Sequence, residues 1–126
     1  MQFNDTKAIY LQLIDFFLDQ ILKKKFRPGD RVPSVRTLAT EAQVTPNTVN
    51  RAYQILQDKG LIFNKRGIGY FLSENAYEIA RDIKRQQFIS ETLPLVFKEM
   101  QLLNISFDDL KELFNQYLQN PKNKEQ

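Results

Sequence analysis

The chain is predicted to be mainly α with a small β-hairpin, an α+β fold. Apolar residues recur at three- and four-residue spacing through most of its length. Two short apolar runs flank a Gly-containing basic loop between Leu61 and Leu72. Turn formers at Pro28-Gly29, Pro46 and Gly60 cut the helical stretches into short pieces.

Residues 8–24 read as the first helix, with Ile9, Leu13, Phe16, Phe17 and Ile21 on one side. Leu11, Ile14, Leu18 and Leu22 widen that face, which suggests more than one neighbour. Lys23, Lys24 and Lys25 suit the negative end of the helix dipole. Arg27-Pro28-Gly29-Asp30 forces a turn, and Arg31-Val32-Pro33 is short and extended.

Ser34 is a good N-cap for a second helix running to about Ala42. Thr45 caps a third, Pro46 fits its first turn, and Val49, Ala52, Tyr53 and Leu56 form the inward stripe. Gly60 supplies its left-handed stop. Leu61–Asn64 and Tyr70–Leu72 are the hairpin strands around Lys65-Arg66-Gly67-Ile68-Gly69.

A long helical pattern covers 76–103, with Asn75 as its cap and Pro94 inside it. A proline there removes a backbone hydrogen bond and kinks or splits the helix. Asn104 suits a left-handed close. Ser106 and Asp109 resemble a capping box for a last helix over 107–119, and residues 120–126 are expected to fray.

At 126 residues, with 42% hydrophobic and 26% charged, the chain is globular: one domain, or a small domain with an appendage. No apolar run approaches a membrane span, and residues 1–30 lack the pattern of a signal peptide, so a cytoplasmic location is expected. The absence of Cys and His excludes disulfides, thiolate or imidazole metal sites and Cys–His or Ser–His nucleophile pairs. No acid/base constellation stands out, so no enzyme activity, metal or cofactor is expected. The net charge of +3 is unevenly spread. Residues 1–73 hold 11 Lys and Arg against 6 acids, whereas 74–126 hold 7 against 9. The first part is therefore the candidate polyanion binder.

Glu41–Thr45 gives the second and third helices the spacing of a helix-turn-helix, and the hairpin after them is the wing of a winged helix. A groove-reading helix needs small polar residues at its N-terminus that reach base edges. Thr45, Asn47, Thr48, Asn50 and Arg51 take the outer side here, with Val49, Ala52 and Tyr53 inside. Asn suits adenine and Arg suits guanine.

Three ordered motifs carry a resemblance. They are Pro28–Arg36, Thr45–Tyr53, and Gly60-Leu61-Ile62 through Gly67–Phe71. Over residues 8–72 the chain resembles the GntR family of bacterial regulators, and its two-helix tail with Leu93-Pro94 resembles the YtrA-type subfamily. The resemblance implies a homodimeric transcription regulator on a palindromic double-stranded DNA operator, and a repressor is expected. It implies phosphate and base contacts by residues matching Ser34, Arg36, Thr45, Asn47, Thr48 and Asn50, and by the wing around Lys65, Arg66 and Gly67. Pro46 and Asn50 stand where some members use Arg, so guanine readout does not carry over. Gln43 stands where a Gly often eases the turn.

This divides the chain into a winged helix-turn-helix over 1–73 and a helical dimerisation tail over 74–126. The tail's apolar residues Ile79, Ile83, Phe88, Leu93, Phe97, Met100, Leu110, Leu113, Phe114 and Tyr117 are core in either of two arrangements. They pair two copies of the chain, or they pack on their own winged helix. Arg51 also has two readings, a DNA contact or a cover for the core. Lys65 and Arg66 either grip nucleic acid or keep a loop tip soluble, and Lys23–Lys25 read better as a solvated helix end. Protein adaptor roles are disfavoured by the Thr, Asn and Arg on the outer face of 45–51. A small-molecule effector at the dimer interface is left open.

Overall fold

The computed structural model describes residues 2–123. Helix α1, Ile9–Leu22, buries Leu13, Ile14, Phe17, Leu18 and Ile21 along one face. It ends before the lysine run. Lys24 adopts φ 60°, and the Lys25 N–H returns to the Gln20 carbonyl at 2.9 Å. The helix thus stops two residues short of the expected Lys24, and Lys23–Lys25 are exposed just beyond its C-terminal end. Asp30 then closes the turn by accepting from the Arg27 N–H at 2.9 Å.

The segment after that turn is extended and runs beside the hairpin. Val32 donates to Tyr70, Leu72 donates to Asp30, and Arg31 is bridged antiparallel to Phe71. Helix α2, Val35–Ala42, is capped by Ser34, whose hydroxyl accepts from the Thr37 N–H. Gln43 takes the left-handed conformation, φ 58° and ψ 46°, without the glycine that would make it easy. Helix α3, Pro46–Asp58, is capped by Thr45 and buries Val49, Ala52, Tyr53 and Leu56. Strands β1, Ile62–Lys65, and β2, Gly69–Leu72, pair antiparallel with Ile62 opposite Leu72 and Lys65 opposite Gly69.

The core lies among α1, α2, α3 and the inner face of the hairpin. Tyr53 is at its centre, with the Phe17 and Tyr70 rings edge-on at centroid distances of 5.5 and 5.1 Å. Each fully buried leucine, such as Leu13, Leu18, Leu56 or Leu61, contributes about 1.5–3 kcal/mol of burial.

The chain divides into two compact units, Met1–Lys84 and Arg85–Gln126. The expected division at residue 73 falls short of this one, because the start of α4, Ala76–Gln87, belongs to the first core. Ala76 and Ala80 are fully buried there, and Lys84 reaches Asp19 at 3.3 Å. Ile79 and Ile83, expected in the dimer contact, pack against this same core. With small alanines on its inner face, α4 approaches closely enough to bring both isoleucines in.

In the second unit, a π-helical turn, Phe88–Thr92, precedes α5, Leu93–Leu103. Pro94 has no N–H, and its ring conflicts with the carbonyl four residues back. The wider turn answers both, and the Ser90 hydroxyl donates to the Gln86 carbonyl. Asn104 closes α5 at φ 55°. The Ser106–Asp109 capping box, complete in both directions, starts α6, Phe107–Gln119. Pro121–Asn123 form a 3₁₀ turn where fraying was expected, and the rest of that stretch, 124–126, lies outside the described residues.

Candidate nucleic-acid interface

The start of α3 presents Thr45, Pro46, Asn47, Asn50 and Arg51 to solvent, with Thr48 half-buried. Val49, Ala52 and Tyr53 hold the opposite side in the core, so the polar residues cannot turn inward. Thr45 and Thr48 are committed to one another: their hydroxyls lie 2.9 Å apart, and Thr45 also accepts from the Thr48 N–H. Asn47 and Asn50 make no side-chain hydrogen bond among the described residues, leaving both amides free to read a partner.

Arg51 is placed differently. Its guanidinium lies over the Tyr10 ring, 3.9 Å from the centroid, in a cation–π contact. It is held at the flank of α3, beside Ile9 and Thr48. Tyr10 was missed in the sequence. Nothing in its position along the first helix marks it, and only the packing of α1 on α3 brings it to Arg51.

A second group gathers at the start of α2. Arg36 is exposed in the first turn, while the Ser34 hydroxyl accepts from the Thr37 N–H and donates to its hydroxyl. The Tyr53 hydroxyl donates to the Pro33 carbonyl and ties α3 to the residue before this cap. Burial, with smaller repulsion from Tyr70 and Glu41, pushes the ionisation of Tyr53 well above the usual value near 10. The phenol therefore stays a donor.

The hairpin tip is the third group. Lys65, Arg66 and Gly67 are all exposed. Lys65 is steered by the hairpin's outer face, where Phe63 and Phe71 stack at 6.0 Å and its Nζ sits 4.7 Å from the Phe71 centroid. Gly67, at φ 78°, has open space beside it and leaves the tip free for close approach. Gly69 does not: a Cβ there would meet the Arg31 guanidinium at 3.0 Å. Arg31 is exposed and was not among the expected site residues, since its order in the sequence gives no sign that it reaches the wing.

The profile for bacterial regulatory proteins of the gntR family matches residues 9–72, from the first residue of α1 to the last of β2. The chain belongs to the GntR family. Among relatives, the HTH-type transcriptional regulator YhcF of Bacillus subtilis is 35% identical over 111 residues, covering 88% of this chain and 90% of that one. The HTH-type transcriptional repressor YtrA of the same organism is 47% identical over 73 residues, 58% of this chain and 56% of that protein. A GntR family transcriptional regulator from Listeria monocytogenes has the same fold, with a TM-score of 0.74 and 30% identity over 90% of this chain and 98% of that one. The chain is also similar in structure to YtrA from Sulfolobus acidocaldarius, a GntR-family transcription factor, with a TM-score of 0.55 and 26% identity over 97% of both chains. This GntR protein is a DNA-binding transcription regulator and not an enzyme. No helix among the described residues is long and apolar enough to cross a membrane.

Proposed function

We propose that this GntR regulator is a homodimeric repressor of a palindromic operator. In this reading α3 enters the major groove, Asn47 and Asn50 read bases, and Ser34, Arg36, Thr45 and Thr48 hold the backbone. Lys65, Arg66 and Gly67 grip the flanking backbone or minor groove. Arg51, stacked on Tyr10, serves as a fixed cation beside α3.

The observation that carries the DNA side is the pair of free amides on the solvent face of a helix whose opposite face is locked by Tyr53. The dimer rests on the second unit taken by itself. Its described residues include none that is buried, yet Leu95, Phe97, Leu102, Leu103 and Phe107 are exposed, Leu102 at 82%. Two helices with that much apolar surface need a partner of the same kind. Phe88, Phe97, Leu113, Phe114 and Tyr117 of the expected contact set are exposed too, while Leu93, Met100 and Leu110 are half-buried. The repressor sense is supported by the 47% identity to YtrA.

Selection of bound sequences from a random duplex pool tests the reading. A symmetric consensus is the expected result. Asn47→Ala and Asn50→Ala change the selected sequence, whereas Arg36→Ala and Lys65→Ala weaken binding to all sequences alike. A pool with no enriched site, or a uniform loss in all four variants, contradicts it.

A further inference from the structure

We propose that the cleft between the start of α2 and the wing holds a DNA backbone phosphate, and that Arg31 is one of its two cationic ligands, the other being Arg36. The inference rests on the DNA-binding reading above and adds to it a residue and a site.

Three features of the structure converge. First, Arg31 is bridged to Phe71, which sets its backbone against β2 with the side chain directed along the strand toward Gly69. Second, the guanidinium lies close against the Gly69 backbone. The Cβ that Gly69 lacks would stand 3.0 Å from Nε, 3.1 Å from Nη2 and 3.4 Å from Cζ. Several atoms of one planar group at nearly equal distance place that plane against the glycine. Any other residue at 69 would push it away. Third, Arg31 and Arg36 line one open cleft together with Ser34, Asn64, Gly67 and Ile68. Neither arginine forms an ion pair among the described residues.

Two unpaired guanidinium groups on one cleft repel one another, and a phosphate between them removes that repulsion. The guanidinium fork matches two phosphate oxygens at once, which a lysine cannot do. Contact with Gly69 holds the Arg31 fork before DNA arrives, so less side-chain freedom is lost on binding. The same contact links the wing to the strand that leads into α2. One phosphate in the cleft therefore fixes the position of both.

The test is the salt dependence of binding to a fluorescein-labelled duplex of mixed sequence, since phosphate contacts are independent of base sequence. Wild-type protein, Arg31→Ala, Arg31→Gln, Arg31→Lys and Arg36→Ala are compared, each checked for folding by thermal melting. Each phosphate neutralised adds about 0.9 to the slope of log K against log salt. Arg31→Ala and Arg31→Gln are expected to bind roughly tenfold more weakly, with a slope shallower by about one per protomer, as for Arg36→Ala. Arg31→Lys keeps the slope and loses part of the affinity. Arg31→Gln, which preserves much of the side chain over Gly69, decides the matter if Arg31→Ala melts early.

An unchanged slope in Arg31→Gln, whatever its affinity, overturns the proposal and leaves Arg31 as a brace for the wing. Wild-type protein without salt-dependent binding overturns the DNA-binding reading itself, and this inference with it.

Discussion

The hydroxyl of Tyr53, in the middle of α3, donates to the carbonyl of Pro33, the residue before the α2 cap. The helix proposed to read bases and the helix proposed to hold the backbone are thus joined through one buried phenol. Tyr53→Phe keeps the ring contacts with Phe17 and Tyr70 but removes the donor. A loss of about 1–2 kcal/mol in unfolding free energy is expected in denaturant titration.

The same phenol gives an alkaline signature. Its ionisation is raised in the folded state by burial, then by Tyr70 and Glu41. Above the unfolded value near 10 the unfolded chain releases this proton while the folded chain retains it. The contribution is fully present below that pH and is lost as pH rises beyond it. Tyr53→Phe is expected to flatten the alkaline fall of melting temperature. An equally steep fall in the variant would assign the effect to other groups.

Gln43 holds a left-handed conformation that its Cβ disfavours. Gln43→Gly relieves strain of about 1–2 kcal/mol and returns part of it through the freer unfolded chain. The expected result is a gain of about 0.5–1 kcal/mol, with DNA affinity unchanged.

The first unit extends to Lys84. A fragment ending there is expected to melt cooperatively and to remain monomeric. A fragment ending at Leu72 loses the burial of Ala76, Ala80, Ile79 and Ile83 and is expected to be less stable by on the order of 3 kcal/mol. Equal melting of the two fragments would show that α4 contributes nothing to that core.

Local signals in the sequence carried a good deal of this structure. Ser34, Thr45 and Ser106 each cap the helix they were expected to cap, and the long helical run containing Pro94 is split by the π-helical turn just before it. These features depend on a few neighbouring residues and elementary hydrogen bonding. What escaped depends on the meeting of distant elements. Periodicity shows that Ile79 and Ile83 lie on an apolar face, but not that the alanines beside them let α4 join the first core. Arg31 and Tyr10 gain their places only through pairing with β2 and packing on α3. The charge of Arg51 was visible; the ring beneath it was not.

The exposed leucines and phenylalanines of α5 and α6 give the proposed dimer a direct handle. Leu102→Asp, at the most exposed of them, is expected to shift the full-length protein to monomer in sedimentation without lowering the melting temperature of the first unit. Operator affinity should fall more than a hundredfold as the second half-site ceases to be linked to the first.

Hydroxyl-radical footprinting of the full-length protein on its selected duplex separates a dimer on a palindrome from every other mode of binding. Two symmetry-related protected segments are expected, with centres about 34 Å apart, one helical turn, or a multiple of it. They should appear together as protein is added. A single protected segment, or protection spread evenly along the duplex, would contradict a dimer reading a palindrome.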